Sequence, residues 1–443
     1  MKPIVREHPL VVDPQSLDGC SCGGEHPAPQ VTLYSAADAC RIMAEDCRTA
    51  YGDRPVFLLS DPDTHAAAGD RLQQELVAQG INLTACRLDA DPEADDATVD
   101  MVRDRSKGAA LIISVGSGTV GDLGKYSATQ ENIDFWCMPT APSMNGYTSG
   151  IAAIKVRGVK RTLKATPAQR LYVVPEVIQQ APLKLRQAGF CDVLAKAVSD
   201  VDWQCESLLF SHSYCRLPAG IMTTIEHTYN EHPEEIGRGD AKAVQGLFEG
   251  LLISGVAMSL IGTSAPASGG EHLISHFWDM REPLTGRTPE LHGLQVGVGI
   301  IVSTACYSAL ANLDKRDLPC RAEQAFAEDA ARIPGLWGDY AAEVAAQFNN
   351  KRAALMQFDS LVPANWENLQ ALFRKVRPPE YFADMFSRVG APFSLEAFRL
   401  DKEEFMLAAL NARTIRERIT VLDFAAHAGV LEAAAERALS FLN

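Results

Sequence analysis

The sequence predicts an α/β domain built on a parallel sheet, joined to an all-α domain. Three observations carry this. From about Arg54 to Val174 short apolar runs alternate with amphipathic stretches, the rhythm of strands and crossover helices. One of those runs leads directly into a Gly-x-Gly-x-x-Gly turn. Beyond Pro182 the period lengthens to that of helices and strand signals fade. A chain of 443 residues exceeds one ordinary core, so two domains are expected, residues 1–180 and residues 181–443.

Taken in order, the first strand of this region is Val56-Phe57-Leu58-Leu59, and helical spacing follows from His65 to Gln79. Leu83 to Leu88 predicts a strand and Asp95 to Ser106 a helix. Ala109 to Val115 is dense in Ile, Leu and Val, the composition of a parallel strand buried on both faces. A helix near Val120 to Ala128 leads to a strand at Phe135 to Met138, and two shorter apolar segments end at Leu171 to Val174. In the second half Ala241 to Ile261, Pro319 to Ala331 and an Ala-rich terminal stretch from Leu422 to Leu442 have helical periods.

A content of 47% hydrophobic and 22% charged residues suits a globular enzyme. The net charge of −15 argues against nucleic acid, whose readers need a basic face to replace phosphate counterions. It leaves room for a phosphorylated small molecule, because a few local cations or main-chain N–H groups hold one phosphate. The opening Met-Lys-Pro-Ile-Val-Arg lacks the apolar region of a signal peptide, and no stretch has ~18 uninterrupted apolar residues. A cytoplasmic protein without a membrane partner is therefore expected. Eleven cysteines, scattered from Cys20 to Cys320, read as reduced thiols. Cys20, Cys22 and His26 resemble a metal clip in spacing, but no fourth ligand follows nearby, and a plain surface loop is expected.

Two turns carry ligand chemistry. Gly116-Ser117-Gly118-Thr119-Val120-Gly121 follows a strand and opens a helix, where glycines let main chain approach a pyrophosphate and the helix N-terminus supplies N–H groups. Asp122, directly after it, suits a ribose or amide contact better than an anion. The next strand leads into Thr140-Ala141-Pro142-Ser143-Met144-Asn145-Gly146-Tyr147-Thr148-Ser149. Strand ends of an open α/β sheet share one crevice, so both turns are expected to face one ligand.

In Gly269-Gly270-Glu271-His272-Leu273-Ile274-Ser275-His276 two histidines stand four apart, on one face of a helix, and His292 follows closely. A catalytic divalent metal takes three protein ligands and an open position, so a carboxylate is the natural third ligand if one histidine serves chemistry. Asp192 reads from sequence as the N-cap of an apolar helix.

The runs GSGTVGDLGKY, PTAPSMNGYTSGIAAI, AGFCDVLAK with a nearby DW, and SAPASGGEHLISHFWDM followed by HG together resemble sn-glycerol-1-phosphate dehydrogenases. That family lies among the iron-type alcohol dehydrogenases, glycerol dehydrogenases and dehydroquinate synthases, and the likeness covers about residues 50–300. It implies a dehydroquinate synthase-like fold, a Rossmann-like N-terminal half and a helical C-terminal half, and a role in phospholipid metabolism. By motif it implies that Gly118, Thr119, Val120, Gly121 and Asp122, with Thr140, Ala141, Pro142, Ser143 and Ser149, bind NAD or NADP. Asp192, His272 and His292 are the implied metal ligands, for zinc ahead of nickel or iron, and a homo-oligomer is expected. Asn145, Asp192 and His276 are the implied substrate contacts. Two positions depart from the family pattern: Asn145 replaces an Asp, and Ala265 replaces an Arg before Pro-Ala-Ser-Gly.

The implied reaction is reversible reduction of dihydroxyacetone phosphate to glycerol 1-phosphate, with His276, or a water it orients, returning the proton. Lys160, Arg161 and Lys164 are candidate cations for the substrate phosphate, and Asp61 would repel a 2′-phosphate if it reaches the adenosine ribose. Three other readings remain open: a glycerol or other polyol dehydrogenase, a dehydroquinate synthase-like cyclase, and a non-catalytic nucleotide-binding relative. The resemblance would put a Glu at Asp192 in the cyclase, and the gathered Asp192, His272, His276 and His292 weigh against the non-catalytic one.

Overall fold

The computed structural model describes residues 8, 9, 20, 22–24, 26, 31–210 and 214–442. Nine strands lie among them: β1 (His8–Pro9), β2 (Thr32–Ser35), β3 (Val56–Ser60), β4 (Leu83–Arg87), β5 (Leu111–Gly116), β6 (Asp134–Pro139), β7 (Ile151–Val156), β8 (Val159–Lys164) and β9 (Arg170–Val173). Seven of them form one sheet in the order β1-β2-β9-β6-β5-β3-β4, parallel except for the antiparallel β1–β2 pair. β3 pairs with β4 on one side and β5 on the other, so the strand order reverses there, and the crevice beyond their carboxyl ends is where open α/β sheets bind ligands. The Gly-rich turn leaves the sheet at the end of β5.

Continuous apolar runs form β3 and β5 because both faces of the sheet are covered. One face, with Val56, Leu58, Leu111, Ile113 and Trp136, packs on α1 (Ala39–Tyr51) and α2 (Asp70–Ala78). The other, with Phe57, Leu59, Ile112, Phe135 and Leu171, packs on Val99 and Val102 of α3 (Asp96–Arg105) and Leu123 of α4 (Gly118–Glu131). β7 and β8 make a separate hairpin whose turn residues Arg157 and Gly158 have φ of 52° and 78°, the twist that a two-residue hairpin turn requires.

Two compact units divide the chain: Met1–Val193 with Leu217–Ser264, and Leu194–Arg216 with Ala265–Asn443. Two consecutive blocks were the simpler expectation. The physical reason for the return is α6 (Ala241–Ile261), which follows α5 (Leu183–Leu194) in the first unit. Its Val244, Phe248 and Leu252 bury with Tyr147, Ala152 and Ile154, next to the second turn and the hairpin.

The second unit is helical among its described residues, around α7 (Gly270–Thr285) and α8 (His292–Asn312). The helix expected at Pro319 to Ala331 runs Ala322–Trp337. The single terminal helix expected over Leu422 to Leu442 is two, α9 (Val421–His427) and α10 (Leu431–Leu439), because the chain turns at Gly429 with φ of 73°. α6 and α8 are long and apolar enough by composition to cross a bilayer, but most of each is buried inside the protein, as core helices are.

Candidate active site

The sequence places Gly-x-Gly-x-x-Gly at positions 116–121, and each glycine has a different surrounding. A Cβ on Gly116 would stand 2.6 Å from Val120 Cβ, so the turn out of β5 closes only on a glycine. A Cβ on Gly118 would meet Met144 Cγ at 3.3 Å, and one on Gly121 would meet nothing within 4 Å. Gly121 thus leaves open space at the first turn of α4, as close approach of a ligand to main chain requires. Tight packing of this helix on the sheet falls instead to Gly124, whose Cβ would press on Phe135 and Ser114.

Asp122 is engaged within the protein. Its Oδ2 accepts the Ala153 N–H at 3.0 Å, and its Oδ1 pairs with Lys125 Nζ at 3.2 Å. Lys125, which sequence reasoning passed over, is buried and donates to the carbonyls of Gly146 at 2.7 Å and Ile151 at 2.8 Å. Its cation ties α4 to the second turn. Ser149 Oγ lies 3.0 Å from the Gly146 carbonyl and 3.1 Å from that of Ile151, so this hydroxyl also shapes the turn. Thr140, Ala141, Pro142 and Ser143 are buried where β6 ends, and Tyr147 closes the loop by donating to the Ala141 carbonyl at 2.6 Å.

Helices seat this turn at two glycines. A Cβ on Gly189 of α5 would overlap the Pro142 carbonyl, and one on Gly255 of α6 would stand 2.6 Å from the Asn145 carbonyl. The contact at Gly189 brings Asp192 beneath the turn, where its Oδ2 accepts the Asn145 N–H at 2.9 Å. Asp192 lies inside α5, close to its end, and is no N-cap. Asp61 follows β3 and caps the next turn by accepting the Thr64 N–H at 2.8 Å. Lys160, Arg161 and Lys164 lie on β8.

In the second unit α7 and α8 bring three imidazoles together. Ring centroids are 5.1 Å apart for His272 and His292, 5.5 Å for His276 and His292, and 5.9 Å for His272 and His276. His272 Nδ1 is 2.8 Å from Glu271 Oε1. A carboxylate only accepts, so Nδ1 carries the proton and Nε2 keeps its lone pair. His292 Nδ1 is likewise held, 2.9 Å from Ser275 Oγ. Holding one nitrogen of each ring is how proteins orient histidines for metal binding, so the donor set fits a divalent cation. Glu271 and Ser275 were missed as functional residues although both stand inside the quoted motif.

Beneath the start of α7, Asp202 accepts the N–H of Gly270 at 2.8 Å and of Val421 at 2.6 Å, and the Tyr307 hydroxyl at 2.6 Å. Burial, with the neighbouring Glu271 carboxylate, pushes its pKa up to about 8. Ala265 precedes this site in sequence and brings no cation of its own.

The sequence pattern of the iron-containing alcohol dehydrogenases matches residues 35–182. Glycerol-1-phosphate dehydrogenase (NAD(P)+) of Geobacillus thermodenitrificans is 34% identical over 250 residues, which span 55% of this chain and 62% of that protein. The protein of the same name from Halalkalibacterium halodurans is 32% identical over 294 residues, 65% of this chain and 73% of its own. Among solved structures, glycerol dehydrogenase from Schizosaccharomyces pombe superposes with a TM-score of 0.58 at 16% identity, covering 94% of this chain and 92% of its own, which places the fold. Motifs, fold and sequence identity converge: the chain belongs to the glycerol-1-phosphate dehydrogenase family and is an oxidoreductase of the alcohol dehydrogenase class.

Proposed function

We propose that the chain catalyses the reversible reduction of dihydroxyacetone phosphate to sn-glycerol 1-phosphate, using NADH or NADPH and one divalent metal ion, zinc ahead of nickel or iron. Asp192, His272 and His292 are its ligands in this reading. The observation that carries it is the pair of oriented imidazoles, His272 held by Glu271 and His292 by Ser275, with His276 beside them. When bound, the metal would supply Lewis acidity and the nicotinamide the hydride. The side chains do the rest. Gly118 to Asp122, Thr140 to Ser143 and Ser149 bind the dinucleotide, with Gly121 giving its phosphates access to the N–H groups that open α4. Asn145 offers its side-chain amide to the substrate while its main-chain N–H orients Asp192. His276 would hold a proton for the substrate oxygen in the reductive direction and take it back in the oxidative one.

The test is oxidation of NADH and of NADPH by metal-reconstituted protein, with dihydroxyacetone phosphate against dihydroxyacetone, and His272→Ala as control. Turnover with the phosphate alone, lost in the control, is the expected result. Turnover with dihydroxyacetone alone would replace this reading by a polyol dehydrogenase in which Asn145 and Ala265 mark the changed substrate. No turnover with either would sink both.

A further inference from the structure

Ahead of β2, the segment expected to be a plain surface loop gathers metal-ligand chemistry. Cys20, Cys22 and His26 are each half-buried, and their ligand atoms lie within 4.8 Å of one another. Cys22 Sγ is 3.1 Å from His26 Nε2, and the Gly24 N–H points to that sulfur at 3.3 Å. On its other side His26 Nδ1 is 3.2 Å from the Leu260 carbonyl, at the end of α6. A carbonyl only accepts, so Nδ1 holds the ring proton and the Nε2 lone pair faces the thiol. That arrangement repeats the logic seen at His272: one nitrogen fixed by an acceptor, the other offered. Donors around a tetrahedral zinc with Zn–S of about 2.3 Å and Zn–N of about 2.0 Å sit roughly 3.5 Å apart, close to the separation of Cys22 and His26.

We propose that Cys20, Cys22 and His26 hold a second metal ion of the zinc class, chemically distinct from the Asp192, His272 and His292 set and independent of it. Two thiolates and an imidazole select a soft-to-borderline cation. Cysteine and histidine ligands of this kind are typical of structural zinc sites, and His26 ties this one to the end of α6.

Cobalt separates the two sites, because sulfur-to-cobalt charge-transfer absorption needs a thiolate and the catalytic set has none. The full chain, loaded with Co2+ and assayed for metal by mass spectrometry, is expected to hold two equivalents and show that absorption. His272→Ala should lose one equivalent and keep the absorption, whereas Cys22→Ser should lose one equivalent and the absorption with it. His26→Cys should keep two equivalents with stronger absorption, which guards against reading a misfolded variant as a lost ligand. A wild-type chain without charge-transfer absorption, or an unchanged Cys22→Ser, overturns the site. None of these readouts depends on turnover, so failure of the proposed reaction leaves this test intact.

Discussion

Glu271 shows how much of a metal site lies beside its ligands. Its Oε1 fixes the proton on His272 Nδ1 and also accepts the Gly269 N–H at 2.7 Å, so one carboxylate sets the ring's tautomer and the start of α7. Glu271→Gln keeps the shape and removes the charge that makes the imidazole a stronger donor. Loss of such a partner lowers metal affinity by about 10–100-fold. Competition with a chelator should show that drop with the circular dichroism of the wild type, and unchanged affinity would mean that Glu271 serves only the helix start. The histidines themselves were legible because a spacing of four on a helix fixes a shared face. Glu271 and Ser275 were not, since their contacts to neighbouring rings depend on rotamers that spacing does not specify. Asp192 misled for a related reason: an acid in an apolar stretch looks like a cap, and only the contact of Gly189 with Pro142 reveals that it sits under the Asn145 turn.

At the scale of elements, the site depends on how closely α7 and α8 approach. A Cβ on Gly299 of α8 would overlap the Glu271 carbonyl, so the two helices touch main chain to side-chain-free main chain there. Gly299→Ala must push α7 away, carrying His272 relative to His292. Overpacking of this kind costs about 1–3 kcal/mol. Denaturant unfolding should report that loss, and metal titration should report weakened binding; a variant of wild-type stability and affinity would show that the helices have slack. The buried strands β3 and β5 were readable because sheets covered on both faces leave unbroken apolar runs. The hairpin of β7 and β8 was not, because Lys160, Arg161 and Lys164 on β8 read as candidate cations for a phosphate and not as strand residues. The terminal helix was read as one because Gly429 is a single residue within an Ala-rich run, and only its positive φ shows the break.

For the whole molecule, the two compact units do not follow the chain as two consecutive blocks. The change to helical periods near Pro182 is real, but periodicity reports an element's type and not its partners, and α6 packs with Tyr147, Ala152 and Ile154. Full burial of a side chain such as Phe248 contributes about 1.5–3 kcal/mol, so a piece ending at residue 180 forfeits several such contacts at once. Residues 1–180 expressed alone should be poorly soluble and lack a cooperative thermal transition, while residues 1–264 should show one. A sharp transition in the shorter piece would make α6 dispensable to the sheet.

The return of Leu217–Ser264 to the first unit also bears on synthesis. A ribosome delivers the sheet well before it delivers α6, and at about 5–20 residues per second the interval from Val193 to Ser264 lasts on the order of ten seconds. For that time the nascent chain carries an uncovered apolar face around Tyr147 and Ile154, a sticky intermediate that the finished protein no longer presents.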